Sequence, residues 1–296
     1  MTEIEVADGD VTTAPRTSRR LWRTVTRDKL AVAAAVFVVV LTAVAVFAPL
    51  VAPYPPDTTV AAPFLGPSWH NLLGTDELGR DILSRLIFGT RVALLVGGIA
   101  TAIAMAIGVP LGIAAAYYGG TLDTVSMRIM DGLLAFPSLM LALTVVAVLG
   151  PGMWFVMMAI GVTSVPIYAR LSRATALQTK ELLYVDSARA VGASNARILV
   201  RVILPETASV LSVQTTLSFA YAVLTEAALS FLGLGIVPPT PSWGSMLATS
   251  LQYMSQSPLY SVSAGFAVFI TVLSLNLVGD GLRDALDPHN LSRGMY

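Results

Sequence analysis

The 296 residues include no cysteine and only two histidines, His70 and His289. Disulfides, thiolate nucleophiles and cysteine-based metal sites are therefore excluded, and two histidines cannot build a His-rich metal centre. Charge is scarce as well: Asp, Glu, Lys and Arg make up 12% of the chain against 55% hydrophobic residues, and the mean hydropathy is +0.74. No GxxxxGK(S/T) is present to cradle nucleotide phosphates, and no GxSxG, HExxH or CxxC. Gly119-Gly120 lacks a following Lys-Ser/Thr and reads as a turn. The chain is thus expected to bind no metal or cofactor and to catalyse no reaction of its own. The formal net charge is zero. The basic residues flank apolar runs, so nucleic acid is not an implied partner.

What the chain has is apolar length. Residues 30–56, 92–122, 132–169 and 227–279 contain no Asp, Glu, Lys or Arg. A helix crosses the bilayer hydrocarbon with ~20 apolar residues, so an all-α integral membrane protein is expected. The runs are continuous rather than alternating, which argues against a barrel. Six spans fit, at about 30–50, 92–116, two within 132–169, 207–232 and 259–279. A single helix over 132–169 would be ~57 Å long, nearly twice the ~30 Å hydrocarbon core. Gly150-Pro151-Gly152 is the natural break, and Pro137 should kink the first of the two halves. Small residues, among them Gly108-x-x-x-Gly112, suit close helix packing in the second span.

Charge placement orients the bundle. The apolar run after Lys29 is longer than a signal peptide's core and is followed by no small-x-small cleavage site, so it reads as a first span and not an export signal. With the N-terminus inside, cytoplasmic segments hold 15 Lys and Arg and outer segments hold 3, as the positive-inside rule requires. The resulting organisation has five parts. Residues 1–29 form a cytoplasmic tail with a disordered acidic start, and 30–50 the first transmembrane helix. Residues 51–91 form an extracytoplasmic segment, and 92–279 a five-span core that includes a cytoplasmic loop at 170–206. Residues 280–296 form a cytoplasmic C-terminal tail. Such an organisation is that of a multi-pass membrane protein with both termini cytoplasmic.

The loop 170–206 is the most informative stretch. It sets six basic residues, from Arg170 to Arg201, against Glu181, Asp186 and Glu206. The stretch before Gly192 is helix-compatible, Gly192 suits a positive-φ helix end, and Ser194 or Asn195 can cap a second helix over 196–204, which Pro205 should end. The order Asp186-Ser187-Ala188, three residues, Gly192, nine residues, Val202-Ile203-Leu204-Pro205 resembles the EAA loop of the membrane subunits of binding-protein-dependent ABC importers. Asp186, Ser187 and Val202 replace the usual Glu, Ala and Ile with mild changes. The segments Leu72 to Arg91, Asp131 to Leu139, Leu229 to Gly235, Pro241 to Leu247 and Asn276 to Pro288 are similar to the second permease subunit of the dipeptide, oligopeptide and nickel group.

That resemblance implies a six-span type I permease bundle with cytoplasmic coupling helices, set in a prokaryotic inner membrane. In such a protein Asp186, Ser187, Ala188, Gly192, Val202, Leu204 and Pro205 form the coupling loop to an ATPase subunit. The implied partners are a homologous second permease, two ATPase subunits that bind ATP and Mg, an extracytoplasmic substrate-binding protein and the lipid bilayer. The expected function is one half of an ATP-driven import pathway for di- or oligopeptides. The alternatives are a nickel or other small-solute importer permease or, on weaker grounds, an ion-coupled secondary transporter.

Two further groups carry charge near the membrane. Asp76, Arg80, Asp81 and Arg85 are assigned to the extracytoplasmic entrance. There Asp76 is expected to cap an amphipathic helix, and Asp76–Arg80 and Asp81–Arg85 to pair at i, i+4. Glu226 is the one acid deep in an apolar span, where an ionised carboxylate costs ~2.5–3.5 kcal/mol. Two readings are open for it. It is either a pathway residue or a buried structural carboxylate bonded to Tyr221, Thr225, Ser230 or a neighbouring span.

Overall fold

A computed structural model describes residues 28–286. Residues 1–27 of the expected N-terminal tail (1–29) and 287–296 of the expected C-terminal tail (280–296) lie outside the described residues. Helix α1 (Lys29–Val46) starts at Asp28, whose side chain accepts from the amides of Leu30 and Ala31, and a short turn, α2 (Ala48–Val51), follows it. Helix α3 (Ile82–Tyr118) stops at Gly119. Next come α4 (Gly120–Leu134), α5 (Ser138–Leu149) and α6 (Met153–Thr179). The loop region holds α7 (Leu183–Ala190) and α8 (Asn195–Ile198), and α8 passes through a π-turn at Leu199–Ile203 into α9 (Leu204–Phe231). The bundle closes with α10 (Trp243–Gln252) and α11 (Pro258–Leu286).

Four of these helices are long and apolar enough to cross a membrane: α1, α3, α6 and α11. The α4–α5 pair adds a fifth if taken as one span, but it is bent by 91°. The expected third span is therefore not one kinked rod. Pro137 cannot donate a backbone hydrogen bond and disfavours helix at Phe136, so the chain turns sharply and α5 keeps only 12 residues, ~18 Å. Helix α9 has the length of a span at 28 residues but is rich in Ser and Thr. It lies against α3, α6, α10 and α11, and most of its Ser and Thr hydroxyls donate to carbonyls of their own preceding turn.

The most extensive helix pairing is α3 with α6, and the two run parallel. A Cβ on Gly112 would lie 2.1 Å from the Ala169 carbonyl oxygen, so only glycine permits this approach. Farther along, Lys180 Nζ donates to the Ala116 carbonyl at 3.0 Å. Apolar clusters fill the space between these helices and α5, α9 and α11, with Met157, Ile160 and Leu229 fully enclosed. Alternation of the helices gives the bundle two ends. The loop end holds residue 28, the α3–α4 turn, the 180–203 loop and residue 286. The cap end holds residues 52–81 and 232–257, joined by contact of the Phe64 and Tyr253 rings at 4.8 Å.

Candidate functional site

At the loop end, α7 follows α6 after a break at residues 180–182, so the helix-compatible stretch before Gly192, residues 175–191, is divided between two helices. Helix α7 ends as expected at Gly192, with φ +80°. Gly192 N–H donates to the Arg189 carbonyl at 2.9 Å and Ala193 N–H to the Ala188 carbonyl at 3.0 Å, the paired closure of a Schellman motif. Ser194, one of the two expected caps, accepts from Arg197 N–H at 3.4 Å. The second helix departs from expectation. It does not stop at Pro205 but continues into α9. Proline removes one hydrogen bond and its ring crowds the carbonyl four residues back. The preceding turn widens in response, so that Leu204 N–H reaches the Leu199 carbonyl.

The loop is anchored on its inner side. Val185, Ile198 and Ile203 are buried with Ala116, Tyr168 and Leu211, and Ala188 and Val202 pack half-buried beside them. Tyr117, the penultimate residue of α3, donates from its hydroxyl to Asn195 Oδ1 at 2.9 Å, and its ring lies under the Arg189 guanidinium at 5.5 Å. The outer side is open. Leu183 and Val191 are each 84% exposed. Asp186 is exposed and meets Arg189 at 3.1 Å, and Ser187 donates to the Leu183 carbonyl at 2.9 Å. Gly192, Leu204 and Pro205 are exposed too. Leu204 and Pro205 line an apolar groove of about 690 Å³ between α3 and α9. The seven loop residues singled out in the sequence thus divide between an anchored side and an open one.

The cap end is arranged differently. Residues 76–81 are turns and isolated bridges, so the expected helix begins only at Ile82, and its cap is Asp81, not Asp76. Asp81 Oδ2 accepts from Ser84 N–H at 2.8 Å and Ser84 Oγ–H at 2.7 Å, and Oδ1 from Asn71 Nδ2 at 2.9 Å. Asp76 instead folds its own turn, accepting from the amides of Leu78 and Arg80 at 2.9 Å each. The Asp76–Arg80 pair forms at 2.6 Å. The Asp81–Arg85 pair does not. Arg85 lies toward Asp76 at 3.4 Å and donates to the Pro56 carbonyl at 3.1 Å, because Asp81 is already committed to Asn71 and Ser84. All four charged side chains are buried.

Glu226 is 1% exposed and accepts from Ser230 Oγ–H at 2.7 Å. Ser230 Oγ in turn accepts from Ile236 N–H at 3.2 Å, so the carboxyl group fastens the turn that leaves α9 toward α10. Asp131 pairs with Arg170 and not with its helical neighbour Arg128. Arg173 grips Asp123 through two bonds of 2.5 and 2.6 Å, clamping α4 across α6. Tyr117–Asn195 and Arg173–Asp123 join residues 78 and 50 positions apart, a separation no local pattern reveals. Among the described residues no group of three or more His, Cys, Asp or Glu is placed to hold a metal.

A helical bundle with an anchored, outward-facing helix–turn–helix at one end is the architecture of a type I importer permease. Comparison with known proteins makes the assignment: the chain belongs to the binding-protein-dependent transport system inner membrane component family, whose model matches residues 108–291. Residues 17–67 match the N-terminal TM domain of oligopeptide transport permease C. The chain is 44% identical over 272 residues to the glutathione transport system permease protein GsiD of Pectobacterium atrosepticum, covering 91% of this chain and 90% of that protein. It is 42% identical over 281 residues to the di/tripeptide transport system permease protein DppC of Pseudomonas aeruginosa, covering 93% of each. In fold it is similar to a chain of the MetNI methionine ABC transporter, solved in inward-facing conformations, with a TM-score of 0.55 at 19% identity over 70% of this chain and 98% of that one.

Proposed function

We propose that the chain is the permease subunit of an ATP-driven importer for di- or oligopeptides. It forms half of the pathway with a homologous permease and couples to two separate ATPase subunits that bind ATP and Mg. An extracytoplasmic binding protein delivers substrate at the cap end, beside the segment that holds Asp76, Arg80, Asp81 and Arg85. The loop end and both tails face the cytoplasm. Peptide relatives such as the glutathione and di/tripeptide permeases favour this substrate class over nickel.

The observation that carries the reading is the two-sided loop. Its backbone ends are capped and its inner residues anchored, yet Leu183 and Val191 stand almost fully in the open. An ATPase groove that buries them gains apolar area. Its movement then has two routes into the membrane. One is the uninterrupted helical path from α8 into α9, and the other is the Tyr117 brace into α3. ATP-driven closure of the ATPase pair would rock α3 and α9 together, exposing the pathway to the outside, and hydrolysis would reset it.

The test is ATP-dependent uptake of trialanine in proteoliposomes that contain the full set of subunits. Uptake should require the second permease and both ATPases. Full active transport by this chain alone would overturn the proposal. Uptake that persists without ATP hydrolysis but stops when the proton gradient collapses would favour an ion-coupled carrier.

A further inference from the structure

Outward faces of the bundle differ in chemistry. Helix α1 presents Val36, Val39 and Val40, and α11 presents Val262, Phe266 and Phe269, all exposed and all apolar. These faces suit lipid. On α9 an outward stripe runs Gln214, Leu217, Tyr221, Leu224, in steps of three and four that place it on one side of a helix. Tyr221 is 37% exposed, and its hydroxyl lies 2.6 Å from Ser138 Oγ, itself exposed at the first turn of α5. Gln214, half-buried, donates its amide to Ser218 at 3.0 Å.

The depth of this pair matters. Tyr221 lies ten residues before the end of α9 and Ser138 eleven before the end of α5, so both are ~15–17 Å from the cap ends of their helices. That is near the middle of a ~30 Å hydrocarbon core. Two hydroxyls carry two protons, and one bond between them uses only one. Neither hydroxyl has another partner among the described residues, and both side chains are exposed on the flank of the subunit. Facing lipid, the second donor would have no acceptor, an arrangement the hydrocarbon penalises.

We propose that the seam of Gln214, Leu217, Tyr221 and Leu224 on α9, with Ser138 on α5, lines the translocation pathway and that the Tyr221–Ser138 hydroxyl pair contacts the peptide backbone in transit. The proposal rests on the peptide-importer reading and deepens it. The seam alternates amide or hydroxyl with leucine and carries no charge. A passing peptide always offers carbonyl acceptors and amide donors, whereas its side chains vary. A hydroxyl pair serves both backbone groups, and the leucines accept apolar side chains without selecting among charges.

The absence of native cysteine makes the test direct. Single variants Ser138→Cys and Leu217→Cys are compared with Val39→Cys on α1 and Phe266→Cys on α11, each in the complete transporter in membranes. The probe is a charged, membrane-impermeant thiosulfonate. The two seam positions should react at least tenfold faster than the two controls. A peptide that the wild-type complex imports, chosen from dialanine, trialanine and glutathione, should slow their reaction several-fold. Tyr221→Phe should raise KM for that peptide about three- to tenfold, with ATPase coupling and membrane abundance unchanged.

Seam cysteines that react as slowly as the controls would overturn the proposal. So would seam cysteines that react in the isolated chain but are covered in the complex, since that assigns the seam to the second permease. Fast labelling that an imported peptide does not slow would overturn the backbone contact. If the wild-type complex imports no peptide of the panel, the peptide reading fails instead. Labelling of the seam relative to the controls then still decides whether it lines an aqueous path.

Discussion

The two ends of the bundle handle the same kinds of residue in opposite ways. At the cap end, Asp76, Arg80, Asp81 and Arg85 are buried and bonded to one another or to Asn71, Ser84 and the Pro56 carbonyl. At the loop end, Asp186 and Arg189 meet in the open, with side chains 64% and 45% exposed, while two large apolar residues beside them lie bare. The four charged side chains of the cap are engaged within the chain, although Arg85 Nε and Glu77 Oε2 are buried without a hydrogen-bond partner among the described residues and Trp69 stands 95% exposed. The loop is complete only on its inner side. On the proposed reading, an element that satisfies its backbone yet leaves leucine and valine in water offers them to the surface of an ATPase subunit. On that reading the difference separates residues that hold the subunit together from residues that dock it to a partner.

The largest effect should come from breaking the cap. Asp76 receives two backbone amides and two guanidinium groups. Asp76→Ala would leave Arg80 with only Glu77 and Arg85 with only the Pro56 carbonyl. Removing one partner of a buried ion pair costs about 3–5 kcal/mol. The expected outcome is a marked fall in membrane abundance and in detergent-solubilised Tm, with transport lost in proportion to the protein lost. Near-normal abundance with abolished uptake would move Asp76 from the structural to the functional side of the comparison.

Next in size is Gly192→Val. Gly192 holds φ +80° with no atom within 4 Å of where a Cβ would stand, so the penalty is backbone strain alone, about 1–3 kcal/mol. It falls on a short helix–turn–helix and leaves the membrane helices untouched. Membrane abundance should hold, while co-purification of the ATPase subunits and ATP-driven uptake both drop. If both are normal in Gly192→Val, the coupling role of the loop is wrong.

These two cases also mark what the sequence reveals. Gly192 and Ser194 were legible because their tasks are local: a positive-φ helix end and an amide cap are settled within a few residues. The apolar runs were legible because lipid permits only helices there. Asp76 and Asp81 were misassigned because either can cap a helix in isolation. The choice between them was made by Asn71 and by the return of the chain at Pro56, both distant in sequence. Pro205 was read as a stop because its local preference is to end a helix. The chain instead absorbs it in a wide turn, since breaking the path into α9 would unseat Ile198 and Ile203 from the buried cluster. Pro137 shows the reverse. α5 beyond it is held by α6, and the chain turns by 91° rather than kinking. The role of Glu226 was open in the sequence, and its bond to Ser230 favours the structural alternative.

A smaller effect tests the open face directly. Leu183→Ser removes an exposed leucine with no intramolecular packing to lose. Burying a leucine is worth ~1.5–3 kcal/mol, so the affinity for the ATPase subunit should fall about tenfold or more. Abundance and Tm should stay at wild-type values. Val191→Ser should act in the same direction. A loss of abundance in either variant would show that the residue packs within the subunit, and the comparison between the ends would weaken.

The smallest expected effect belongs to Asp186→Ala, and its size discriminates best. An exposed ion pair contributes ~0–1 kcal/mol, so losing Asp186–Arg189 barely alters the fold of α7. Arg189 also keeps its place over the Tyr117 ring. Any larger loss of ATPase binding must therefore arise across the docking interface, where a carboxylate facing a basic partner gains strength as water is excluded. Two measurements separate the cases: co-purification of ATPase subunits at low and high salt, and the Tm of the isolated permease. A drop in binding that salt abolishes, with Tm unchanged, places Asp186 on the docking face. A drop in Tm equal to the drop in binding would assign it to holding α7 in shape, and the charge at this position would then belong with the self-contained groups of the cap.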